Sequence, residues 1–218
     1  ASQTALFVPP TEAIRNSLVF AAVAMVIAVV VGGLAAVVVA RRTTRATRAL
    51  DLLVMLPLGT SAVTIGFGFL IALDEPPLDL RTSRWIIPVA HALVAIPFVV
   101  RIVAPTLRAI DERQREAAAV LGASPGRVRR EIDLPIAGRA LAVAAGFAFA
   151  ISVGEFGATV FLARPDAPTL PVAIFRFLGR PGELNVGQAY ALAVVLMTIT
   201  ALAILAVDRV RVRRGGWV

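Results

Sequence analysis

The chain has 218 residues, 58% of them hydrophobic, and carries a formal net charge of +8. With a mean hydropathy of +0.84, it is too apolar for a soluble domain with a polar exterior and belongs in a membrane. All 22 basic residues are arginines, clustered at the ends of long apolar runs rather than along a polar face with interleaved aromatics, which argues against nucleic acid and for lipid headgroups as their partners.

A bilayer core about 30 Å thick needs roughly 20 apolar residues in helical form, because backbone groups cannot stay unpaired in lipid. Five segments meet this length, over residues 17–40, 50–73, 85–104, 140–163 and 187–207. The reading is an all-α membrane protein of five transmembrane helices in one domain over 1–218, with one long polar loop at 105–139. No basic n-region or cleavage site precedes the first apolar run, so no signal peptide is visible.

Two kinds of loop alternate. Arg41, Arg42, Arg45 and Arg48 follow the first span; seven arginines from Arg108 to Arg139 follow the third; Arg209, Arg211, Arg213 and Arg214 follow the fifth. The loops between them are mixed, with Asp74, Glu75 and Asp79 set against Arg81 and Arg84, and Asp166 and Glu183 set against Arg164, Arg176 and Arg180. The positive-inside rule makes the arginine-rich loops cytoplasmic, with the C-terminus inside and residues 1–16 outside. An N-out start without a signal is expected to follow further transmembrane helices upstream, making this chain the C-terminal half of a longer polypeptide.

In the second span Pro57, Gly59, Thr60, Ser61, Thr64, Gly66 and Gly68 favour kinking and close helix approach, which marks Thr60, Ser61 and Thr64 as candidate path residues. After the fourth span, residues 168–179 are too short to cross and are read as a short helix packed on the outer mouth. Glu155, near the middle of the fourth span, needs a partner at that depth. It lines the path or it hydrogen-bonds a neighbouring helix for packing, and the sequence leaves both open. His91 is read as a packed, hydrogen-bonded neutral histidine and not a metal ligand, since no second ligand lies near it. Asp51 and Asp208, at span ends beside arginines, are read as interfacial charge pairs.

The long loop reads EAAAVLGASPGRVRREIDLP. Residues 113–121 favour helix, with Glu112 and Glu116 near its start, and Gly122 ends it. Ser124 and Pro125 start a second helix as cap and first-turn residue. The two form a compact knob in which Ala117 to Ala119 admit a close partner surface, Glu116 pairs with the following arginines, and Pro135 separates the loop from the fourth span.

Glu116, Ala117 and Ala118, three residues, Gly122, nine residues, then Ile132, one residue, Leu134 and Pro135 resemble the EAA loop of bacterial binding-protein-dependent ABC importers at every fixed position. The resemblance implies an ABC importer permease core whose knob, a coupling helix, seats in a cytoplasmic ABC ATPase dimer. It also implies a second permease half and an extracytoplasmic solute-binding protein. The chain has no GxxxxGK[ST] motif, so it is expected to hold no cofactor of its own, with ATP and Mg²⁺ bound by the partner ATPase, and not to be an enzyme by itself. The stretches from Asn16, Leu56 and Ser152 are similar to core helices of the same superfamily, and GEFGATVFLARPDAPTLPVAIF resembles permeases of the ferric iron and thiamine type. GEFGA is shared with molybdate and sulfate relatives, the alternative substrate class. An ion-coupled secondary transporter would need more than one midmembrane acid, and a membrane anchor would not need the docking loop.

Overall fold

The computed structural model describes residues 9–41, 44–74, 80 and 83–212. Glu75, Asp79, Arg81, Arg42, Arg213 and Arg214, invoked in the loop reading, lie outside the described residues. Ten α-helices follow in order among those described: α1 (Pro10–Arg41), α2 (Arg45–Gly59), α3 (Ala62–Ala72), α4 (Ile86–Arg108), α5 (Glu112–Val120), α6 (Pro125–Val128), α7 (Leu134–Gly154), α8 (Thr159–Leu162), α9 (Leu170–Leu178) and α10 (Glu183–Val212). A π-helical turn, Arg129–Asp133, joins α6 to α7.

Four runs are long and apolar enough to cross, namely Pro10–Ala40, Ile86–Arg108, Pro125–Gly154 and Glu183–Arg209; the pair α2 and α3, bent by 104°, makes a fifth when taken as one broken span. The expected second span over 50–73 is therefore not one helix. Pro57 withdraws a backbone donor inside α2, Gly59 and Thr60 are poor helix formers, and Thr60 is extended at φ −109°, ψ 147°. Ser61 then caps α3, its Oγ accepting from the Val63 N–H at 3.3 Å.

The fourth span also differs from expectation. Pro135 does not separate it from the loop, because the helix runs without a break from Pro125 to Gly154. Proline here would clash with the carbonyl of Glu131 in an ordinary α-turn. The π turn widens the backbone at that point, the Leu134 N–H reaching back to the Arg129 carbonyl. At the other end the span stops at Gly154 instead of continuing to 163, and Glu155 to Ala158 interrupt it before α8.

The centre of the fold is the packing of α1, α4 and α7 through small side chains. Ala24, Ala28 and Ala36 on α1 face Ala92 and Ala95 on α4 and Ala140, Ala144 and Ala148 on α7, all buried. Spacing by three residues on α4 and by multiples of four on α1 and α7 puts each set on one helix face, and the missing side-chain bulk lets the backbones approach. The segment expected to form a short packed helix does so as α9, which buries Leu170, Val172, Ala173 and Phe177 against α1 and α10. Ser17 of α1 accepts the Leu170 N–H at 2.7 Å and Asn16 donates to the Pro168 carbonyl at 3.2 Å, which ties α9 to the start of α1. In contrast α2 buries no residue, and Asp51 forms no ion pair among the described residues, whereas the arginines that follow Asp208 lie largely outside them.

Candidate functional site

Two interruptions of the helical framework carry the candidate residues. The first is the polar loop. Asp111 caps α5 by accepting the Arg113 N–H at 3.0 Å. At the far end the Gly122 N–H bonds the Ala119 carbonyl and the Ala123 N–H bonds the Ala118 carbonyl, both at 2.9 Å. This pair of bonds is the Schellman termination, and it places Gly122 at φ +83°, where a side chain would be strained. Ser124 then caps α6, accepting the Arg127 N–H at 3.4 Å. Of the knob expected from the sequence, α5, the glycine turn and the Ser124 cap are present, but the second helix is the first turn of the fourth span rather than a separate short helix.

Its bracing differs from expectation. Glu116 forms no ion pair among the described residues; the pairs are Arg115 with Glu112 at 2.8 Å, Arg115 with Asp133 at 2.9 Å and Arg127 with Glu131 at 2.9 Å. Partial burial works against the Arg115 charge, but the hydrogen bonds from Asp133 and Glu112 outweigh it and raise the pKa above its ordinary value. Arg115 thereby straps α5 to the foot of α7. Ala117 and Gly122 are exposed, Ala118 and Ile132 half-buried, Leu134 and Pro135 exposed. A cleft of about 1320 Å³, lined by Leu107, Arg108, Glu112, Arg115 and Asp133 among others, separates the knob from the ends of α1 and α4.

Sequence reasoning passed over Val120 and Leu121. They close α5 with 87% of each residue exposed, two large apolar side chains at the tip of an otherwise polar loop. The signal was in the sequence: an apolar pair directly before a helix-ending glycine has no core to enter on that side.

The second interruption lies between α7 and α8. Glu155 is at the end of α7, not in the middle of a continuous helix, and only 7% of it is exposed. Its Oε1 accepts the Ala158 N–H at 2.9 Å; its Oε2 accepts the Thr159 N–H at 3.1 Å and the Thr159 hydroxyl at 2.7 Å. The carboxylate thus supplies the acceptors for the first backbone donors of α8. His91 of α4, 2% exposed, closes the network, with Nε2 at 2.6 Å from Thr159 Oγ1 and 3.3 Å from Glu155 Oε2, and Nδ1 at 2.7 Å from Ser152 Oγ. One assignment satisfies every group: Ser152 donates to Nδ1, Nε2–H donates to Thr159, and Thr159 donates to Glu155. His91 is thus packed and hydrogen-bonded through both ring nitrogens. The sequence reading treated His91 and Glu155 separately; their 64-residue separation hides the pairing, which depends on α4 and α7 packing antiparallel.

The two breaks touch. A Cβ on Gly66 of α3 would lie 2.6 Å from the Ala158 Cα and carbonyl oxygen, so only glycine allows this approach. One on Gly157 would lie 3.1 Å from the Ala62 Cβ and the Val63 nitrogen. Thr60, Ser61 and Thr64 sit at the bend just beside this contact, exposed. Of the four candidate path residues, the structure gathers these three on an open face and encloses Glu155 within the chain.

Residues 28–214 match the family described as "Binding-protein-dependent transport system inner membrane component". The chain is 31% identical over 204 residues to a putative 2-aminoethylphosphonate transport system permease protein, PhnV, of Salmonella paratyphi A, covering 94% of this chain and 76% of the relative. It is 34% identical over 135 residues to the sulfate transport system permease protein CysT of Salmonella typhimurium, covering 62% of this chain and 49% of the relative. Among solved structures it is similar in fold to an inward-facing form of the MetNI methionine ABC transporter, with a TM-score of 0.75, 20% identity, and 93% and 94% of the two chains covered. It is likewise similar to a bacterial ABC transporter that imports the acidic polysaccharide alginate, with a TM-score of 0.73, 17% identity, and 98% and 81% covered. The iron or thiamine expectation gains no support from these relatives, whose names point to phosphonate and sulfate. By family match, by identity along nearly its whole length and by fold, the chain belongs to the multi-pass membrane permeases of ABC importers.

Proposed function

We propose that this permease subunit carries a small tetrahedral oxyanion, of the organophosphonate or sulfate class, inward across the plasma membrane. In this reading the arginine-rich ends face the cytoplasm and the C-terminus lies inside. The α5–α6 knob seats against a cytoplasmic ABC ATPase dimer that binds the ATP and Mg²⁺, a second permease half closes the path, and an extracytoplasmic solute-binding protein delivers the substrate. The observation that carries the coupling role is the knob itself, a capped and strapped helix pair whose apolar tip, Val120 and Leu121, has no contact surface of its own. The substrate class rests on the relatives' names. The broken span supports it: the bend exposes Ser61 and Thr64 at the N-terminus of α3, where the helix dipole favours an anion, while the Thr60 hydroxyl donates to the Leu56 carbonyl at 2.6 Å.

The test is co-expression with the neighbouring ATPase and binding-protein genes, purification, and ATP-dependent uptake into proteoliposomes of labelled 2-aminoethylphosphonate and sulfate, with thiamine and ferric iron alongside. Co-purification with the ATPase and uptake of either oxyanion is expected. Uptake of thiamine or iron with neither oxyanion would overturn the substrate class, and a permease that does not bind the ATPase would overturn the coupling role.

A further inference from the structure

Arg101 is the only residue with a permanent charge between Ile86 and Leu107 of α4. It lies seven residues before Arg108, which at 1.5 Å per residue is about 10 Å, or a third of the way into the hydrocarbon core. A cation there is retained only where it has a polar partner or a wet cavity. The described residues provide almost none. The guanidinium offers five donors, and among the described residues its hydrogen bond is from Nε to the Met55 sulfur of α2 at 3.2 Å, a weak acceptor, with no carboxylate within ion-pair distance.

Its placement indicates what the missing partner faces. The opposite side of α4, with His91, Ala95, Val99 and Val103, is buried in the core, whereas Phe98, Arg101, Pro105 and Arg108 form one exposed stripe at four- and three-residue spacing. The stripe lies beside α2, which buries no residue and leads to the bend that exposes Thr60, Ser61 and Thr64. A lipid-facing stripe would not hold a charge so deep, which points this face of α4 toward a polar path together with the bend. A planar fork of N–H donors suits a tetrahedral oxyanion, which it engages through two parallel hydrogen bonds.

We propose that Arg101 contacts the oxyanion group of the substrate in the inner third of the translocation path. The proposal rests on the oxyanion reading above. A lipid phosphate offers the same acceptor chemistry, and the test separates the two.

The assembled importer, with ATPase and binding protein, is reconstituted as wild type, Arg101→Gln and Arg101→Lys, with 2-aminoethylphosphonate and sulfate as probes. The readouts are anion taken up per ATP hydrolysed, the yield of intact complex and its melting temperature. Arg101→Gln is expected to lower uptake per ATP at least tenfold, and Arg101→Lys less, since a point charge replaces the fork, with yield and melting temperature matching wild type. Uptake per ATP within twofold of wild type for Arg101→Gln overturns the proposal. So does a loss that only follows a reduced yield or melting temperature, which would assign the guanidinium to a lipid phosphate or to subunit assembly. A wild-type importer that takes up neither anion overturns the oxyanion reading and this proposal together, whereas uptake by wild type with an unaffected variant overturns this proposal alone.

Discussion

The α5–α6 knob and the junction around Glu155 are both places where a helix stops and another begins, yet they solve opposite problems. At the knob, caps and a left-handed glycine satisfy the backbone while the apolar side chains at the tip remain outside. At the junction, the Glu155 carboxylate and the Thr159 hydroxyl satisfy the backbone, the His91 imidazole and the Ser152 hydroxyl complete their network, and all four are enclosed. The comparison teaches that an interruption enclosed within the helices must be sealed internally, because no water reaches it to complete its hydrogen bonds. An interruption outside the membrane is free to present a surface. Stability should therefore be concentrated at the junction and coupling at the knob, and substitutions at the two should separate these properties.

The sharpest break of the comparison is Glu155→Ala. It strands the Ala158 and Thr159 N–H donors in an apolar setting and takes the carboxylate from the Thr159 hydroxyl, with an expected loss of about 2–5 kcal/mol. Melting of the detergent-solubilised protein measures it. Glu155→Gln should also destabilise, by about 1–3 kcal/mol, because both carboxylate oxygens accept from donors and an amide turns an N–H group toward one of them. A Gln variant as stable as wild type would mean that the network as described does not hold the break. Next in size is Gly66→Ala, which forces a methyl group into the Ala158 backbone and should cost about 1–3 kcal/mol by overpacking. Equal melting temperatures would show that α3 and α8 do not approach so closely.

Much of this division is legible in the sequence. The knob is local: Asp111, Gly122, Ser124 and Pro125 each act on the backbone within a few residues, so spacing alone specifies it. The spans were legible too, since their apolar length is a property of the segment. What could not be read is whatever depends on which helices pack together. Glu155 stood out as a costly group, but its partner His91 lies on another span, and the end of α7 at Gly154 is enforced by contacts with α3 and α4 as much as by local propensity. Arg101 drew no notice because a single arginine among apolar residues near a span end reads as a boundary charge; the continuation of α4 to Arg108 puts it inside. The bend at Thr60 was legible as weakness, through Pro57 and Gly59, but its 104° angle was not.

A smaller stability effect is expected at the knob's turn. Gly122→Asp places a substituted residue at φ +83°, at a cost of about 1–2 kcal/mol, with open space around the new side chain. The variant should insert and purify, while ATP-driven uptake falls at least tenfold because the turn that orients the tip is altered and a charge is added beside it. Uptake at the wild-type rate would remove the knob as the transmission point.

The smallest stability change, and the clearest separation of the two regions, is expected from the double substitution Val120→Ser, Leu121→Ser. Both side chains are 87% exposed, so nothing in the chain packs on them and no cavity opens when they are cut back. Exposed substitutions away from caps and networks stay within about 0.5 kcal/mol, and the Schellman bonds at Ala118 and Ala119 are untouched. Melting in detergent should therefore match wild type. Binding of the ATPase should not, because burying two large apolar side chains is worth about 1.5–3 kcal/mol each. That corresponds to a weakening of the permease–ATPase complex by at least tenfold, read by titrating the ATPase onto immobilised permease. If the pair drives docking, Val120→Ile, which keeps the apolar surface, should bind as wild type does. Equal affinity for the serine double variant would mean that the tip points away from the docked ATPase, and that the coupling surface lies instead on the exposed Glu116 and Ala117 side of α5.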